Sequence, residues 1–477
     1  MAYENLELLI GGEWRKGDGG GEDVLNPANE QVIGQVPHAS AAELDMALEA
    51  SVAGFETWRN TTPLQRQAVM EKAARILESR ADEIARNLTM EMGKPVGEAK
   101  LELGFAIDVL RWYGEEGKRA YGRLVPARIP GARQMVMKEP VGPSCAFVAW
   151  NFPATNVMRK VAGALGAGCS IIIKPSEETP ATAVAIGRAL HEAGLPAGAL
   201  NIIFGVPDTV SRHILGSYIP RKLSFTGSVP VGKHLQKLAA ETLKRCTMEL
   251  GDHSPVIVFD DVDLTKALDS IGNNKFRNAG QVCISPTRYF VQDNIYSKFV
   301  DGFTEIAKSV KVGDGLEDGT QMGPLIAARR LDVMEGFVAD ARDKGATLAA
   351  GGERIGNHGY FWAPTILKDV PDEALIMSEE PFGPVAPCQA FKTMDEVLEK
   401  SNSLSFGLAS YVYTSSGDTA KKMSERLNAG LVGVNHPFVA MPETPFGGVN
   451  ESGYGSEGGI EGLDAFLRIK FVTEVGV

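Results

Sequence analysis

Helical periodicity dominates the first 120 residues of the chain, after a short N-terminal region of strand character. Three helical patterns are predicted here, and the clearest opens at TTPLQRQAVMEKAARIL. Thr62 is placed to cap this helix, Pro63 suits its first position, and Gln65 completes a capping box. The spacing therefore predicts a helix that begins at residue 63.

From about residue 144, short apolar runs alternate with helical stretches such as TPATAVAIGRALHEAG and PVGKHLQKLAAETLK. Five runs are typical of buried strands: SCAFVAW, SIIIKPS, LNIIFG, KLSFTGS and CTMELG. A helix that begins at Pro180 is expected after the second of them. Strands separated by helices of this length predict right-handed βαβ crossovers, which build a parallel sheet.

A second alternating series begins near SPVIVFD at residue 254 and runs to about residue 434. Because a chain of 477 residues is too long for one hydrophobic core, we predict two doubly wound α/β domains. We predict an extended hairpin for residues 122–142 and an exposed strand for the final FLRIKFVTEVGV. Edges of this kind are commonly covered by a partner subunit.

Composition and charge exclude several classes of protein. The chain carries 60 acidic and 48 basic residues, a net charge of −12, which argues against non-specific binding to nucleic acid or anionic lipid. We expect no membrane span, because no stretch of 18 apolar residues occurs. We also expect no secretory signal, because the start has no basic region and no long apolar run.

Cysteine and histidine usage bears on disulfides and metals. The five cysteines are scattered, odd in number and never in a CxxC arrangement, and the seven histidines show no ligand spacing. We therefore expect no disulfide framework and no metal site. A reducing, cytoplasmic compartment is the predicted setting.

The hexapeptide GYGSEG, residues 453–458, matches the dinucleotide fingerprint GxGxxG but lacks its context. No hydrophobic strand leads into it, and no βαβ unit follows it. We therefore do not interpret it as a Rossmann fingerprint.

Better context for a dinucleotide surrounds KLSFTGSVPVGKHL. A strand runs into Gly227 and Ser228, and Pro230 can open the next helix, whose first backbone amides are suited to a pyrophosphate. Lys174 and Glu177 leave another strand end, where a carboxylate can accept hydrogen bonds from ribose hydroxyls. The alternative for both segments is an ordinary turn or solvated loop of an α/β fold.

Three further residues are candidates for catalysis. Asn151 follows a strand and precedes Pro153, so its amide can point at a developing oxyanion. Glu249 ends an apolar strand, where desolvation raises the pKa of a carboxyl toward that of a useful base. Cys283, between Gly-Gln and Ser-Pro, is either a nucleophile on a turn or a small buried residue. A helix cap or an ion pair is the alternative for Asn151 and Glu249.

Seven motifs in this order resemble the aldehyde dehydrogenase superfamily, over essentially the whole chain. They are WNFP (150–153), KPSEETP (174–180), FTGS with Gly232, MELG (248–251), GQVC (280–283), EEPFGPV (379–385) and PFGG…SGYGSE (445–457). The resemblance implies an NAD-binding domain of residues 1–121 and 141–252, to which 452–464 return, and a catalytic domain of 253–451. It assigns 122–140 and 465–477 to an oligomerisation arm of a homodimer or homotetramer.

The resemblance also implies catalytic roles. Cys283 matches the nucleophile that forms a thiohemiacetal with the aldehyde, and Asn151 with the backbone N–H of Cys283 matches the oxyanion hole. Glu249 matches the base that activates water to hydrolyse the thioester, and Lys160 and Glu457 match its supporting proton path. Relatives that pass the acyl group to coenzyme A commonly lack this glutamate, so its presence favours a free acid as product.

For the cofactor, the resemblance implies NAD. Lys174 and Glu177 match contacts to the adenine ribose, Ser228 matches the pyrophosphate contact, and Glu380 and Phe382 surround the nicotinamide ribose and ring. Because Glu177 would repel a 2′-phosphate, NAD is favoured over NADP. The full set of cofactor residues implied is Trp150, Lys174, Glu177, Gly227, Ser228, Leu250, Glu380 and Phe382.

Arg159 and Arg277 match two arginines that bind the distal carboxylate in succinate-semialdehyde and 2-oxoglutarate-semialdehyde dehydrogenases. A pair of guanidinium groups suits a carboxylate through charge-assisted bonds. The alternatives are structural ion pairs for these arginines and an aromatic or other uncharged aldehyde as substrate. Two departures from the family pattern are Asp252, which we expect to place a charge beside the Glu249 base, and Asn450. Asp252 alone suggests a third alternative, a structural or binding protein with a silenced site.

Overall fold

Two large β-sheets organise the chain in the computed structural model, which describes residues 3–476. Two smaller sheets accompany them. The strands are β1 Leu8–Ile10, β2 Glu13–Arg15, β3 Gly21–Leu25, β4 Val32–Pro37, β5 Arg123–Val125, β6 Ala132–Pro140, β7 Ser144–Phe147, β8 Ile171–Lys174, β9 Leu200–Ile202, β10 Lys222–Thr226, β11 Arg245–Glu249, β12 Pro255–Val258, β13 Arg288–Gln292, β14 Thr347–Ala350, β15 Thr365–Lys368, β16 Val385–Phe391, β17 Ala409–Tyr413, β18 Leu431–Val434, β19 Gly453–Tyr454 and β20 Leu467–Val475.

Helices connect most of these strands and cover the sheets. They are α1 Ala41–Arg59, α2 Pro63–Ser79, α3 Ala81–Met92, α4 Val96–Glu116, α5 Pro153–Ala167, α6 Ala181–Ala193, α7 Pro207–Gly216, α8 Val229–Ala240, α9 Leu264–Lys275, α10 Asp293–Ser309, α11 Ala328–Asp343, α12 Leu375–Ser378, α13 Met394–Ser401, α14 Gly417–Arg426 and α15 Gly459–Asp464. No helix within residues 3–476 is long and apolar enough to cross a membrane.

The first large sheet has the order β19-β11-β10-β7-β8-β9-β1-β2. Its five central strands, from β11 to β9, are parallel, as the five apolar runs predict. The chain proceeds outward from β7 through β8 to β9, then returns to the other side of β7 with β10 and β11. Strand order therefore reverses between β7 and β10, which is where open α/β sheets bind ligands.

The second large sheet has the order β14-β15-β16-β13-β12-β17-β18, and all its pairs are parallel except β14 with β15. Buried apolar side chains form two separate clusters, one around each large sheet. The predicted fold class, two doubly wound parallel-sheet units, is confirmed. The exact domain boundaries that we give above stay a prediction.

The helical N-terminal part contains four helices rather than the predicted three. Gly93, with φ of +92°, ends α3 in the left-handed conformation that glycine accepts, and Pro95 precedes α4. The predicted start of α2 is confirmed, because Thr62 and Gln65 form the reciprocal capping box. Helix α6 begins at Ala181, one residue after the predicted Pro180.

A separate three-stranded sheet, in the order β20-β6-β5, contains the predicted hairpin and C-terminal strand. It leaves large apolar side chains exposed, including Leu124 at 72%, Ile469 at 70% and Phe471 at 55%. Its role in oligomerisation stays a prediction, and residue 477 of the assigned arm lies outside the described residues.

Candidate active site

A cavity of about 290 Å³ lies at the carboxyl ends of β7, β10 and β11, facing loops of the second sheet. It therefore occupies the point where the strand order of the first sheet reverses. Nine of its lining residues are candidates from the sequence, and five are not. The lining residues are Ala149, Trp150, Asn151, Thr226, Gly227, Ser228, Glu249, Leu250, Gly251, Cys283, Arg329, Arg330, Glu380 and Phe382.

Cys283 is half-buried on a turn, at the edge of the second apolar cluster. The turn before it is strained, since Asn278, Ala279 and Gly280 follow one another in the left-handed region with φ of +51°, +52° and +71°. A side chain at Gly280 would collide with the carbonyl oxygen of Gly383, so only glycine fits there. Strain of this kind persists where the surroundings over-determine it, typically at functional sites.

Hydrogen bonds join the cysteine turn to the loop that carries Asn151. The Asn151 amide nitrogen donates to the Gln281 carbonyl at 3.2 Å. The Asn278 amide nitrogen donates to the carbonyl groups of Asn151, at 3.0 Å, and of Gln281, at 3.1 Å. An amide nitrogen carries two N–H groups, so Asn151 retains one for a ligand oxygen near Cys283.

The surroundings of Cys283 favour the protonated form of its thiol. Burial raises its pKa to about 12, and the carboxylates of Glu380 and Glu249 act in the same direction. The Arg159 guanidinium is the charge that opposes them. Because the thiolate is the nucleophilic form, the site must favour ionisation as it binds its ligands.

Glu249, at the end of β11, is a buried carboxyl with 3% exposure. Neither of its oxygens has a hydrogen-bond partner within residues 3–476. Burial, followed by the charge of Glu457, raises its pKa well above the ordinary value, against the opposing charges of Lys160 and Arg159. A carboxyl in this state is suited to act as a general base. The alternative, an ion pair or a helix cap by Glu249, is not found within residues 3–476.

Lys160 and Glu457 lie behind Glu249 and do not line the cavity. The Lys160 ammonium donates to Glu457 at 2.5 Å and to the Thr226 hydroxyl at 2.7 Å, while the Ser224 hydroxyl donates to Glu457 at 2.9 Å. Burial acts to raise the pKa of Glu457, but Lys160, Arg159 and these hydrogen bonds together hold it below its ordinary value.

The other side of the cavity carries groups suited to a phosphate and an aromatic ring. Ser228 is the N-cap residue of α8 but makes no capping hydrogen bond with its side chain, so the first amides of this 12-residue helix lack a side-chain acceptor. Such amides are suited to a phosphate group. Trp150 and Phe382 stand edge to face, with ring centroids 5.5 Å apart.

Lys174 and Glu177 do not line this cavity. The Lys174 ammonium donates to Glu177 at 2.6 Å, and the backbone N–H of Gly205 donates to the other carboxylate oxygen at 3.0 Å. Both residues lie at the end of β8, next to β7 in the sheet. They therefore lie farther along the same edge of the sheet.

The segment with Glu380 and Phe382 is held from two sides. Arg330 donates to the carbonyl groups of Pro381 and Phe382, and the buried Lys275 ammonium donates to the Gly383 carbonyl at 3.1 Å. Burial, followed by the charge of Asp252, raises the pKa of Glu380 to about 8.

Arg159 and Arg277 have no hydrogen-bond or ion-pair partner for their side chains within the described residues, and the Nε of each is buried. The Arg159 guanidinium lies 3.9 Å from the ring centroid of Phe446 and 5.6 Å from that of Phe105. The Arg277 guanidinium lies 5.5 Å from the ring centroid of Phe152. The alternative of structural ion pairs is therefore wrong for this part of the chain, although neither arginine lines the 290 Å³ cavity.

Asp252 has a structural environment that the sequence does not reveal. Its buried carboxylate accepts hydrogen bonds from the backbone N–H groups of Leu408 and Ala409, at 3.1 and 3.0 Å, and from the Ser254 hydroxyl at 2.5 Å. It thereby fastens the start of β17. Burial and Glu457, rather than Asp252, account for the raised pKa of Glu249.

Asn450 is exposed in a short 3₁₀ turn, Asn450–Ser452, where its φ is +56°. Asparagine accepts this left-handed conformation more readily than most residues. The second departure from the family pattern is therefore compatible with the local backbone.

Five cavity-lining residues were not candidates from the sequence: Ala149, Thr226, Gly251, Arg329 and Arg330. Thr226 and Gly251 belong to the motifs FTGS and MELG themselves, but neither was singled out as a site residue. The two arginines begin α11, where charged residues are common on any surface helix, and no local pattern distinguishes them.

Comparisons with known proteins find relatives along the whole chain. Residues 14–472 match the aldehyde dehydrogenase family. The chain is 45% identical over 476 residues to the 4-(hydroxymethyl)benzenesulfonate dehydrogenase TsaD1 of Comamonas testosteroni, covering 100% of this chain and 99% of that protein. It is 38% identical over 467 residues to the NADP(+) succinate-semialdehyde dehydrogenase GabD of Escherichia coli K12, covering 98% and 97%.

A crystal structure of succinate-semialdehyde dehydrogenase from Burkholderia pseudomallei has a TM-score of 0.97 to this chain at 39% identity. The similarity covers 99% of this chain and 98% of that one. The cavity and the residues that line it thus lie in a fold that this chain shares with that enzyme along nearly its whole length. The chain belongs to the aldehyde dehydrogenase family.

Proposed function

We propose that this protein oxidises an aldehyde with a distal anionic group to the free acid, with NAD as cofactor. The observation that carries the proposal is the pair Arg159 and Arg277, two largely buried guanidinium groups without partners in the described chain. Cationic side chains are normally paired when buried. An anionic group of the substrate would pair with both arginines. Arg159 is close enough to Cys283 that its charge lowers the pKa of the thiol.

A carboxylate-bearing semialdehyde, such as succinate semialdehyde or 2-oxoglutarate semialdehyde, is the first candidate substrate. The similarity to GabD supports it. An aromatic aldehyde with a sulfonate is the second candidate, because TsaD1 is named for a benzenesulfonate. The rings of Phe105, Phe152 and Phe446 around the arginines would suit a planar substrate.

The reaction begins when the ionised sulfur of Cys283 bonds to the aldehyde carbon. The carbonyl oxygen becomes an oxyanion, which would accept hydrogen bonds from the free amide N–H of Asn151 and the backbone N–H of Cys283. The product of this step is a thiohemiacetal. Arg159 assists because its charge lowers the pKa of the thiol against the effect of burial.

Ser228, Glu380 and Phe382, which line the cavity, would hold and orient a nicotinamide dinucleotide, and this cofactor would supply the hydride acceptor. Transfer of the hydride from the thiohemiacetal would leave a thioester on Cys283. Glu249 then takes a proton from water, whose oxygen attacks the thioester carbon, and cleavage of the carbon–sulfur bond releases the acid and the Cys283 thiolate. The proton passes on from Glu249 toward Glu457, which lies behind it.

Replacement of Arg159 or Arg277 by alanine is expected to remove the preference for anionic aldehydes. Truncating one partner of a buried charge pair costs roughly 2–5 kcal/mol, so kcat/KM for the anionic substrate should fall by about 10²-fold. The measurement is NADH formation with succinate semialdehyde against butanal, and with 4-formylbenzenesulfonate against benzaldehyde. Each uncharged aldehyde is the control for its anionic counterpart.

Two outcomes of this experiment would contradict the substrate proposal. One is a wild-type protein that prefers butanal or benzaldehyde over the matched anion. The other is an equal fall in kcat/KM for an anionic aldehyde and its uncharged counterpart in both variants. The arginines would then affect catalysis without distinguishing the charge of the substrate.

Glu177 is expected to set the preference for NAD. Its carboxylate is fixed by Lys174 and Gly205, so it cannot turn away from a 2′-phosphate. Glu177→Gln should raise the ratio of kcat/KM for NADP over NAD by at least about tenfold, the equivalent of ~1.4 kcal/mol. Glu192→Gln, at the far end of α6, is the control and should leave the ratio unchanged. An unaltered ratio in Glu177→Gln would place the 2′-position away from this carboxylate.

A further inference from the structure

We propose that three charged residues at the start of α4, which contact no reacting atom, set the distance between Asn151 and the Cys283 turn. We name Lys94, Glu98 and Glu102 the α4 template. Residues 98 and 102 are one helical turn apart and therefore lie on one face of α4, and Lys94 directly precedes the helix. The inference rests on the roles of Asn151 and Cys283 in the proposed function.

Glu102 holds the helix that follows Asn151. One of its carboxylate oxygens accepts hydrogen bonds from the backbone N–H groups of Ala154, at 2.8 Å, and Thr155, at 3.2 Å. These are first-turn amides of α5, whose own N-cap residue, Phe152, has no side-chain acceptor. A carboxylate from another helix therefore caps α5 and fixes where it starts.

Lys94 holds Asn151 itself. Its ammonium donates to Glu102 at 2.5 Å and to the backbone carbonyl of Asn151 at 2.9 Å. The ammonium also lies 4.0 Å from the ring centroid of Phe152, and the side chains of Lys94 and Glu102 are only 1% and 2% exposed. The position of the Asn151 backbone is therefore tied to a fully buried ion pair.

Glu98 holds the other partner of the reaction, the cysteine turn. Its carboxylate accepts the backbone N–H of Asn278 at 2.9 Å, within the strained left-handed segment. The Asn278 side chain then donates to the carbonyl of Asn151 at 3.0 Å and to that of Gln281 at 3.1 Å. Residues at the start of α4 thus contact both the segment with Asn151 and the turn that carries Cys283.

This arrangement matters because oxyanion stabilisation depends on distance. A displacement of about 1 Å in a catalytic constellation can lower the rate by roughly 10²-fold. A buried ion pair, by contrast, often contributes little to stability compared with apolar residues of similar size. The contacts of the template with Asn151, α5 and Asn278 are therefore best explained by positioning.

The central test replaces both charges at once, as Lys94→Met/Glu102→Met, so that neither member of this ion pair is left without the other. We expect this double variant to unfold near the wild-type temperature, whereas each single variant unfolds at a lower one. Hydride transfer, measured as single-turnover NADH formation at saturating cofactor, should nevertheless fall by at least about 30-fold. A slowed step should also show an isotope effect with the aldehyde deuterated at its reacting carbon.

The matched control is Glu91→Met. Glu91 is also a buried carboxylate that caps a helix from outside, since it accepts the backbone N–H groups of Ala181 and Thr182 at the start of α6. We expect it to lose stability but to keep hydride transfer within roughly threefold of wild type. Wild-type hydride transfer in the double variant, or an equal loss in the control, would overturn the proposal.

A second pair of variants tests the template even if the double variant does not fold. Glu98→Met removes the acceptor for the Asn278 N–H, whereas Glu98→Gln keeps an oxygen at that place. We expect hydride transfer to fall by about tenfold or more in Glu98→Met and to be restored in Glu98→Gln. Equal rates in the two variants would contradict a positioning role.

A readout that needs no aldehyde separates this inference from the proposed function. If none of the four probe aldehydes is oxidised by wild type, the substrate proposal fails. The positioning role of the α4 template is then tested by the rate at which iodoacetamide alkylates Cys283. We expect at least about a fivefold change in that rate in Glu98→Met and in the double variant, with Glu91→Met within twofold of wild type. No change in the template variants would overturn the inference.

Discussion

Replacement of Cys283 by alanine is expected to lower aldehyde oxidation by at least about 10⁴-fold, because removing the nucleophile of a catalytic set removes most of its effect. The side chain is half-buried and holds no disulfide, so the variant should unfold within a few degrees of wild type. The measurement is steady-state NADH formation with the best of the four probe aldehydes, together with thermal unfolding. Cys246, the other partly buried cysteine, supplies the control, and Cys246→Ala should retain full activity.

The same pair of variants decides whether the site is silenced. In a silenced protein, wild type and Cys283→Ala would both be inactive, and iodoacetamide would label Cys283 equally with and without NAD. We expect instead that NAD alters the labelling of Cys283, since the cofactor residues line the cavity that contains it. Activity that survives in Cys283→Ala would rule out a thiohemiacetal.

The sheets could be predicted from the sequence because their strands are short, apolar and bounded by turns. The run SIIIKPS becomes β8, and all four of its strand residues are buried. The number of N-terminal helices could not be predicted as well, because α3 and α4 are separated by three residues only. Gly93, with φ of +92°, ends α3, and the presence of a glycine in a sequence does not by itself predict this conformation.

The catalytic candidates could be predicted because each lies within a motif. Cys283 follows Gly-Gln, and Glu249 ends an apolar strand. The α4 template could not, since Glu102 contacts residues 52 and 53 positions away, and Glu98 contacts one 180 positions away. In the sequence, glutamates four residues apart are typical of a solvated helix face. In the fold Glu102 is buried and Glu98 is half-buried, and α4 packs against α5.

The contacts of Asp252 could not be predicted from the sequence either. Its place in the motif, three residues after Glu249, predicts a charge near the base. The fold turns the carboxylate toward the backbone amides that begin β17, where it fastens the second sheet to the end of the first. The closeness of Asp252 to Glu249 in the sequence therefore gave a wrong expectation for its side chain. Residues that follow a strand need not point to the same side of the chain.

Replacement of Glu249 by glutamine is expected to stop the reaction after one turnover. The variant keeps the shape of the side chain but cannot take a proton from water, and loss of a general base costs about 10²–10⁴-fold in rate. Cys283 and Asn151 remain, so one equivalent of NADH per chain should form rapidly before steady-state turnover falls to that level. The acyl group should then be found on Cys283 as an added mass of the intact protein. A variant that forms no NADH at all would place Glu249 before hydride transfer instead.

The pH dependence of thioester hydrolysis is expected to disappear in the same variant. Because burial and Glu457 raise the pKa of Glu249 well above its ordinary value, part of the carboxyl is protonated below that pKa and cannot act as a base. The wild-type rate should therefore rise with pH through the raised pKa and then level off, whereas Glu249→Gln should show no such rise. Glu91→Gln is the matched control, since burial raises the pKa of that carboxyl to about 7 without placing it at the cavity. If Glu91→Gln lost the pH dependence and Glu249→Gln kept it, the base would have to be assigned elsewhere.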